Sequence, residues 1–295
     1  MRPKLGITLP QFTDDRERLV GIARRSEQLG LDSVWVFDHL WPLTGGKERP
    51  VLECWTTLAY LAAATEKITV GTLVTRSSLR HPALLAKMAA TVASIAPGRV
   101  TITVGSGDEL SRPENEAFGI PYWDADDRID QLRSTVETMI SFLHQDEVNH
   151  RDDFVDIQAL PTSPRPEPPQ LWVGGRAGDT LEIAASLADG WNGWSGSPER
   201  FAQDASSVVG MAAERDVLLS WGGVVVLEAD EADARERLKG KPPGDRIVGG
   251  PATVSAGLRA YAEAGAGHLI CTEAAGWRAD NLALLAEQVG PRLEA

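Results

Sequence analysis

Residues 30–42 read GLDSVWVFDHLWP. Inside them Val34-Trp35-Val36-Phe37 is an apolar run without polar alternation, the pattern of a strand buried on both faces. It stops at Asp38-His39, a carboxylate beside an imidazole, and then at Leu40, Trp41 and the rigid turn residue Pro42. A buried strand that delivers such a pair at its carboxyl end is how an α/β scaffold presents an active site.

Working outward, the same unit recurs. An apolar strand over 5–9 is broken by Pro10-Gln11, and Asp14 is placed to cap a helix over 15–29. Leu19, Ile22, Ala23, Ser26 and Leu29 share one face of that helix, and Gly30 stops it. After the strand at 34–37, a loop over 43–52 containing Gly45-Gly46 leads to a helix over 53–65. A strand over 68–74 precedes a helix opened by Pro82, whose missing N–H has no helical partner to lose. The fourth unit is a strand at 100–104, a long loop over 105–124 and a helix over 125–143. Strands then follow at 171–173, 191–194, 221–227 and 268–272, with helices over 179–187, 198–215, 231–238, 252–264 and 281–289 between and after them.

Two spans break the rhythm. Residues 145–169 are polar and proline-rich, forming an insertion after the fourth helix, and residues 240–250 form another before the eighth strand. Eight short apolar strands, each parted from the next by a helix, predict a single closed (β/α)₈ barrel over 1–295. The rival, a two-domain doubly wound arrangement, calls for a linker in the middle of the chain, and none is visible.

Composition narrows the partners. The 295 residues carry a net charge of −13, which disfavours nucleic acid and anionic membrane surfaces. No apolar run approaches a membrane span and no apolar signal region opens the chain, so a cytoplasmic location is expected. Cys54 and Cys271 fit no metal spacing and read as buried free thiols.

Barrel chemistry belongs at strand carboxyl ends. Those ends offer Asp38-His39, Val74-Thr75-Arg76, Gly105-Ser106-Gly107-Asp108-Glu109, Gly174-Gly175-Arg176, Trp194-Ser195-Gly196, Glu228 and Thr272-Glu273. Glycine lets backbone N–H groups approach a planar ring or a phosphate, and three glycine loops on one rim favour a bound cofactor over plain turns. His39, with Asp38 beside it and Asp108-Glu109 on another strand end, is the candidate proton-handling group. His81, at a helix entry, reads as structural, and His144, His150 and His268 as surface or packing residues. Trp41, Trp194 and Tyr122-Trp123 are candidate walls of an apolar pocket, whereas Trp35, Trp172, Trp191 and Trp221 fall inside strands and belong to the core. A metal site lacks the gathered imidazoles and carboxylates it needs. No G-x-S-x-G and no G-x-G-x-x-G after a strand is present.

The chain resembles the bacterial luciferase-like family of flavin- and deazaflavin-dependent oxidoreductases. The resemblance rests on SVWVFDHLWP (33–42), ITVGTLVT (68–75), RHPALLAKMAATVASIAPGRVTITVGSG (80–107), ENEAFGIPY (114–122), RIDQLRSTVETM (128–139), LWVGG (171–175), LADGWN (187–192) and IVGGPATVSAGLRAYAEAGAGHLI (247–270). It implies a TIM barrel, dimeric or larger, that moves a hydride between coenzyme F420 and a small organic substrate. The alternatives are an FMN-dependent monooxygenase and a barrel that keeps the fold without turnover. By the same resemblance, Asp38 and His39 approach the deazaflavin ring, with His39 exchanging the proton. Leu73-Val74 forms a third-strand bulge with a cis peptide behind the ring. Gly107 and Asp108 line its edge, Asp108 being a second candidate proton donor, and Gly174, Gly175 and Ser195 hold the ribityl phosphate. Three features depart from the family pattern: the glycine loop reads GGRAGDTLEIAA where many relatives carry a basic residue near Asp179, the DELSRP loop is long, and the WSGSP loop has no lysine.

Overall fold

Strand β1 (Lys4–Thr8) runs parallel to β2 (Ser33–Val36), with Ile7 opposite Val34. From β2 the sheet continues in parallel through β3 (Thr69–Arg76), β4 (Val100–Gly105), β7 (Gln170–Gly174), β8 (Gly190–Trp194), β9 (Leu218–Leu227) and β11 (His268–Glu273). Strand β11 then pairs back onto β1, Cys271 opposite Ile7, and the ring of eight closes. This is the (β/α)₈ barrel that the strand–helix alternation predicts. It is seen in a computed structural model that describes residues 2–42 and 46–293. Residues 43–45, and with them Gly45 of the expected glycine pair, lie outside the described residues.

Helices α1 (Arg16–Gln28), α2 (Cys54–Ala64), α3 (Pro82–Ile95), α5 (Ala125–His144), α6 (Gly178–Leu187), α7 (Pro198–Met211) and α9 (Pro251–Glu263) cover the outside. Their buried faces follow the apolar spacing of the sequence, as in α1, where Leu19, Val20, Ala23 and Ser26 turn inward. Among the described residues no helix is long and apolar enough to cross a membrane. Both cysteines are free and buried, and burial pushes the Cys271 thiol up to about 12.

The barrel floor is packed with side chains. Trp35, Leu73, Trp172 and Ile270 form one buried cluster, the two indoles 5.4 Å apart. His268, which the sequence leaves among surface or packing residues, is buried in contact with both indoles. Its Nε2 lies 2.7 Å from Ser33 Oγ, which also accepts the Trp35 indole N–H at 2.7 Å. Burial, aided by the charge of Lys4, pushes the imidazole down to about 3, so it stays neutral beside the serine hydroxyl.

The irregular spans hold more order than expected. In 145–169, β5 (Glu147–Arg151) and β6 (Asp156–Pro161) form an antiparallel hairpin, because Val148 and Ile157 alternate with polar residues and bury one face. In 240–250, the three residues of β10 (Ile247–Gly249) extend the sheet alongside Val225–Leu227 of β9. The expected helix over 231–238 is shorter, α8 (Glu231–Glu236), and the closing helix begins early, as α10 (Ala279–Leu284), before widening to a π turn over Leu285–Val289. A short helix that the sequence reading did not contain, α4 (Arg112–Ala117), lies in the long loop after β4.

Candidate active site

The carboxyl ends of the barrel strands surround a cavity of about 1190 Å³. Its walls include His39, Leu73, Val74, Gly107, Asp108, Gly174 and Gly175, so these expected site residues share one space. Asp38 and Ser195 are not among the lining residues. Asp38 is 1% exposed, and its carboxylate accepts from Thr75 Oγ1 (2.8 Å), Arg76 N (3.0 Å) and both terminal nitrogens of Arg80 (2.6 and 3.1 Å). It anchors the β2 and β3 ends beneath the cavity wall. Ser195 adopts a left-handed backbone, φ +59°, and its carbonyl accepts from Arg176 Nη1 at 3.1 Å.

His39 is held by a residue the sequence reading left without a role. Glu114, on α4, places Oε1 3.3 Å from His39 Nδ1 and accepts the backbone N–H groups of Leu40 (3.0 Å) and Trp41 (3.1 Å). Its other oxygen takes the Arg76 guanidinium, whose remaining groups reach Asn115 Oδ1 (3.0 Å) and the Asp38 carbonyl (2.9 Å). Burial works against the Glu114 charge, but the bonds from His39 and Trp41 and the nearby Arg76 charge outweigh it and hold the carboxyl below its ordinary value. An ionised Glu114 fixes the proton of His39 on Nδ1 and leaves Nε2 free to take or give a proton. Gln11, fully buried, completes the support: it accepts the Phe37 N–H at 2.8 Å and donates to the Phe37 carbonyl at 2.8 Å, pairing with β2 where the sheet has ended.

The β3 bulge is present, with a cis peptide between Leu73 and Val74 and a register shift between Thr72 and Thr75. The Val74 side chain lies where a Cβ on Gly105 or Gly174 would stand, 2.6 and 2.5 Å from its methyl groups. Both glycines are therefore required by the shape of the neighbouring strand. Gly175 has φ +146°, and past it Arg176, Ala177 and Thr180 bring the start of α6 to the cavity. The Ala177 side chain cannot cap α6, which leaves backbone N–H groups available to an anion, although Asp179 in the first turn opposes one. Backbone-lined ground at β3, β4 and β7 beside an uncapped helix start suits a flat ring with a phosphate-bearing tail.

Asp108 is exposed, and its Oδ1 accepts from Ser111 N (3.2 Å) and Ser111 Oγ (3.1 Å), capping the turn that leads into α4. Of the expected aromatic walls only Trp194 lines the cavity. Trp41 lies beneath Lys47 Nζ at 4.1 Å, Tyr122 beneath the guanidiniums of Arg112 and Arg128, and Trp123 against Phe154. The other aromatic walls are Phe12, Phe37 and Trp277, none of which the sequence singled out. Phe37 bridges Phe12 (6.0 Å) and Trp194 (5.9 Å).

A family model described as luciferase-like monooxygenase matches residues 3–242. The F420-dependent glucose-6-phosphate dehydrogenase of Beutenbergia cavernae is 28% identical over 316 residues, covering 92% of this chain and 91% of its own length. The F420-dependent hydroxymycolic acid dehydrogenase of Mycobacterium tuberculosis is 29% identical over 63% of this chain, a match spanning 51% of that protein. Among solved structures, an F420-dependent secondary alcohol dehydrogenase in complex with an F420-acetone adduct superposes with a TM-score of 0.86 at 18% identity, over 99% of both chains.

Proposed function

The chain belongs to the luciferase-like monooxygenase family, and from that premise we propose that it is an F420-dependent oxidoreductase acting on a small organic molecule. The curated relatives above are named as F420-dependent dehydrogenases, which supports the deazaflavin over FMN. When bound, the deazaflavin supplies two-electron hydride chemistry. Everything else falls to the protein. The bulge at Leu73-Val74, with Gly107, offers a surface for the ring, and Gly174, Gly175 and the start of α6 receive the phosphate. Asp38 holds the strand ends in place from below, and Ser195 positions Arg176.

His39 is the group that carries the reading, because it is an imidazole on the cavity wall oriented by a buried carboxylate. It accepts the substrate's hydroxyl proton when the substrate is oxidised and returns it in the opposite direction. Asp108 is the second candidate for proton transfer, its Oδ1 bonded by Ser111 and its side chain on the cavity wall. Titration of the purified protein with F420 and with FMN, followed by absorbance, tests the cofactor assignment. Saturable F420 binding is expected. Binding of FMN alone would make the protein a flavin monooxygenase, and binding of neither would leave a barrel without turnover.

A further inference from the structure

We propose that the substrate carries an anionic group, a carboxylate or a phosphate monoester, and that Arg18 receives it. In a chain of net charge −13, the described residues that line the cavity include five arginines against three carboxylates. Four of those arginines are held by neighbours, Arg49 among them. Arg76 is held by Glu114 and Asn115, Arg176 by Asp204 at 2.8 Å, and Arg128 by the Trp123 carbonyl at 2.9 Å with Glu109 3.8 Å away. Among the described residues the Arg18 guanidinium meets neither an acceptor nor an acidic partner, although its backbone N–H is engaged in capping α1.

Its position matters as much as its freedom. Arg18 projects from α1 to the β1 and β11 side of the mouth, where a Cβ built on Gly276 would lie 3.6 Å from its Nη2. On the function proposed above, the deazaflavin occupies the β3, β4 and β7 side, which leaves this wall to the substrate. The same wall carries Thr8 and Thr272, whose hydroxyls meet at 2.8 Å, and Trp277, whose indole N–H is buried without an acceptor among the described residues. Among the described residues, the carboxylate on this wall is that of Glu273, which is already gripped by Arg237 through both oxygens, at 2.7 and 3.1 Å, and does not compete for Arg18. A free guanidinium beside an unmet N–H donor and the Phe12–Phe37–Trp194 series suits an apolar body ending in an anion.

Calorimetric titration of the F420-loaded protein with phenyl phosphate, phenylacetate and the uncharged 2-phenylethanol tests this. At least one anion should bind about tenfold or more tightly than the alcohol, and the better of the two identifies the anion class. Arg18→Gln should abolish that preference without weakening the alcohol, and Arg18→Lys should retain part of it. Because the side chain is exposed and unbonded, neither substitution threatens the fold. Equal binding of charged and uncharged probes, or a preference that survives Arg18→Gln, would overturn the assignment. So would an Arg18→Gln protein that loses F420 affinity and keeps the anion preference. F420 titration of the same samples reports on the cofactor separately, and if F420 does not bind, the probe titrations on cofactor-free protein decide the Arg18 question alone.

Discussion

The Glu114 carboxylate and the His39 imidazole meet at 3.3 Å across 75 positions of sequence. The contact is made on the rim of the cavity, and the same carboxylate also gathers the N–H groups of Leu40 and Trp41. One buried anion therefore sets both the tautomer of the histidine and the path of the chain that carries it.

Glu114→Gln keeps the shape of the side chain and removes the charge. Turnover should fall by about 10²-fold or more, because the tautomer and orientation of His39 are no longer fixed. Thermal denaturation should show a loss of about 3–5 kcal/mol, since the buried Arg76 guanidinium is left without its counter-ion. Steady-state kinetics and melting curves measured together check both parts.

His39→Ala removes the proton-handling group and leaves the cavity floor intact. The protein should fold and bind F420 with an affinity close to that of the wild type, while turnover drops by about 10²–10⁴-fold. Unchanged turnover would remove His39 from the mechanism.

Asp38→Asn separates a structural duty from contact with the cofactor. Asp38 faces Arg80 and the Arg76 N–H rather than the cavity, so the first effect should be on stability, about 3–5 kcal/mol measured by denaturant unfolding. A stable variant that had lost only F420 affinity would instead place Asp38 at the ring.

Gly174→Ala introduces a methyl group 2.5 Å from Val74 Cγ1, and the bulge must move to accommodate it. F420 titration should show an affinity weakened by about tenfold or more, with the barrel still folded by circular dichroism. Retained affinity would mean that the shape of the bulge does not govern the cofactor site.

His268 makes stability sensitive to pH far from the mouth. Its folded value is pushed down to about 3, below the ordinary value of 6.5, so the unfolded chain takes up a proton more readily. This contribution is fully present above about pH 6.5 and is lost progressively as pH falls toward 3, amounting to about 2 kcal/mol by pH 5. Between pH 7 and 5 the wild type should lose more stability than His268→Gln, as read from melting temperatures.

The barrel was legible because its strands are apolar throughout and short. Val34 to Val36, Val70 and Val104 declare burial on both faces without any knowledge of their neighbours. The glycine-marked strand ends gave the rim in the same way, and His39, Val74, Gly107 and Gly174 do share one cavity. Glu114 was not legible. It sits in a six-residue helix too short to show periodicity, and its partners, His39 and Arg76, become neighbours only when the barrel closes. Asp38 misled for a related reason: a carboxylate next to a histidine reads as an active pair, while the donors that claim it come from β3 and from Arg80 beyond it. The β5–β6 hairpin was hidden by the prolines around it, although the alternation of Val148 and Ile157 with polar residues was available to find it.

The floor of tryptophans and His268 has one more effect, on traffic. With Trp35, Trp172 and His268 packed across the lower end, the described residues leave the carboxyl-end mouth as the doorway of the cavity. A guest near Val74 and one near Arg18 would share that doorway.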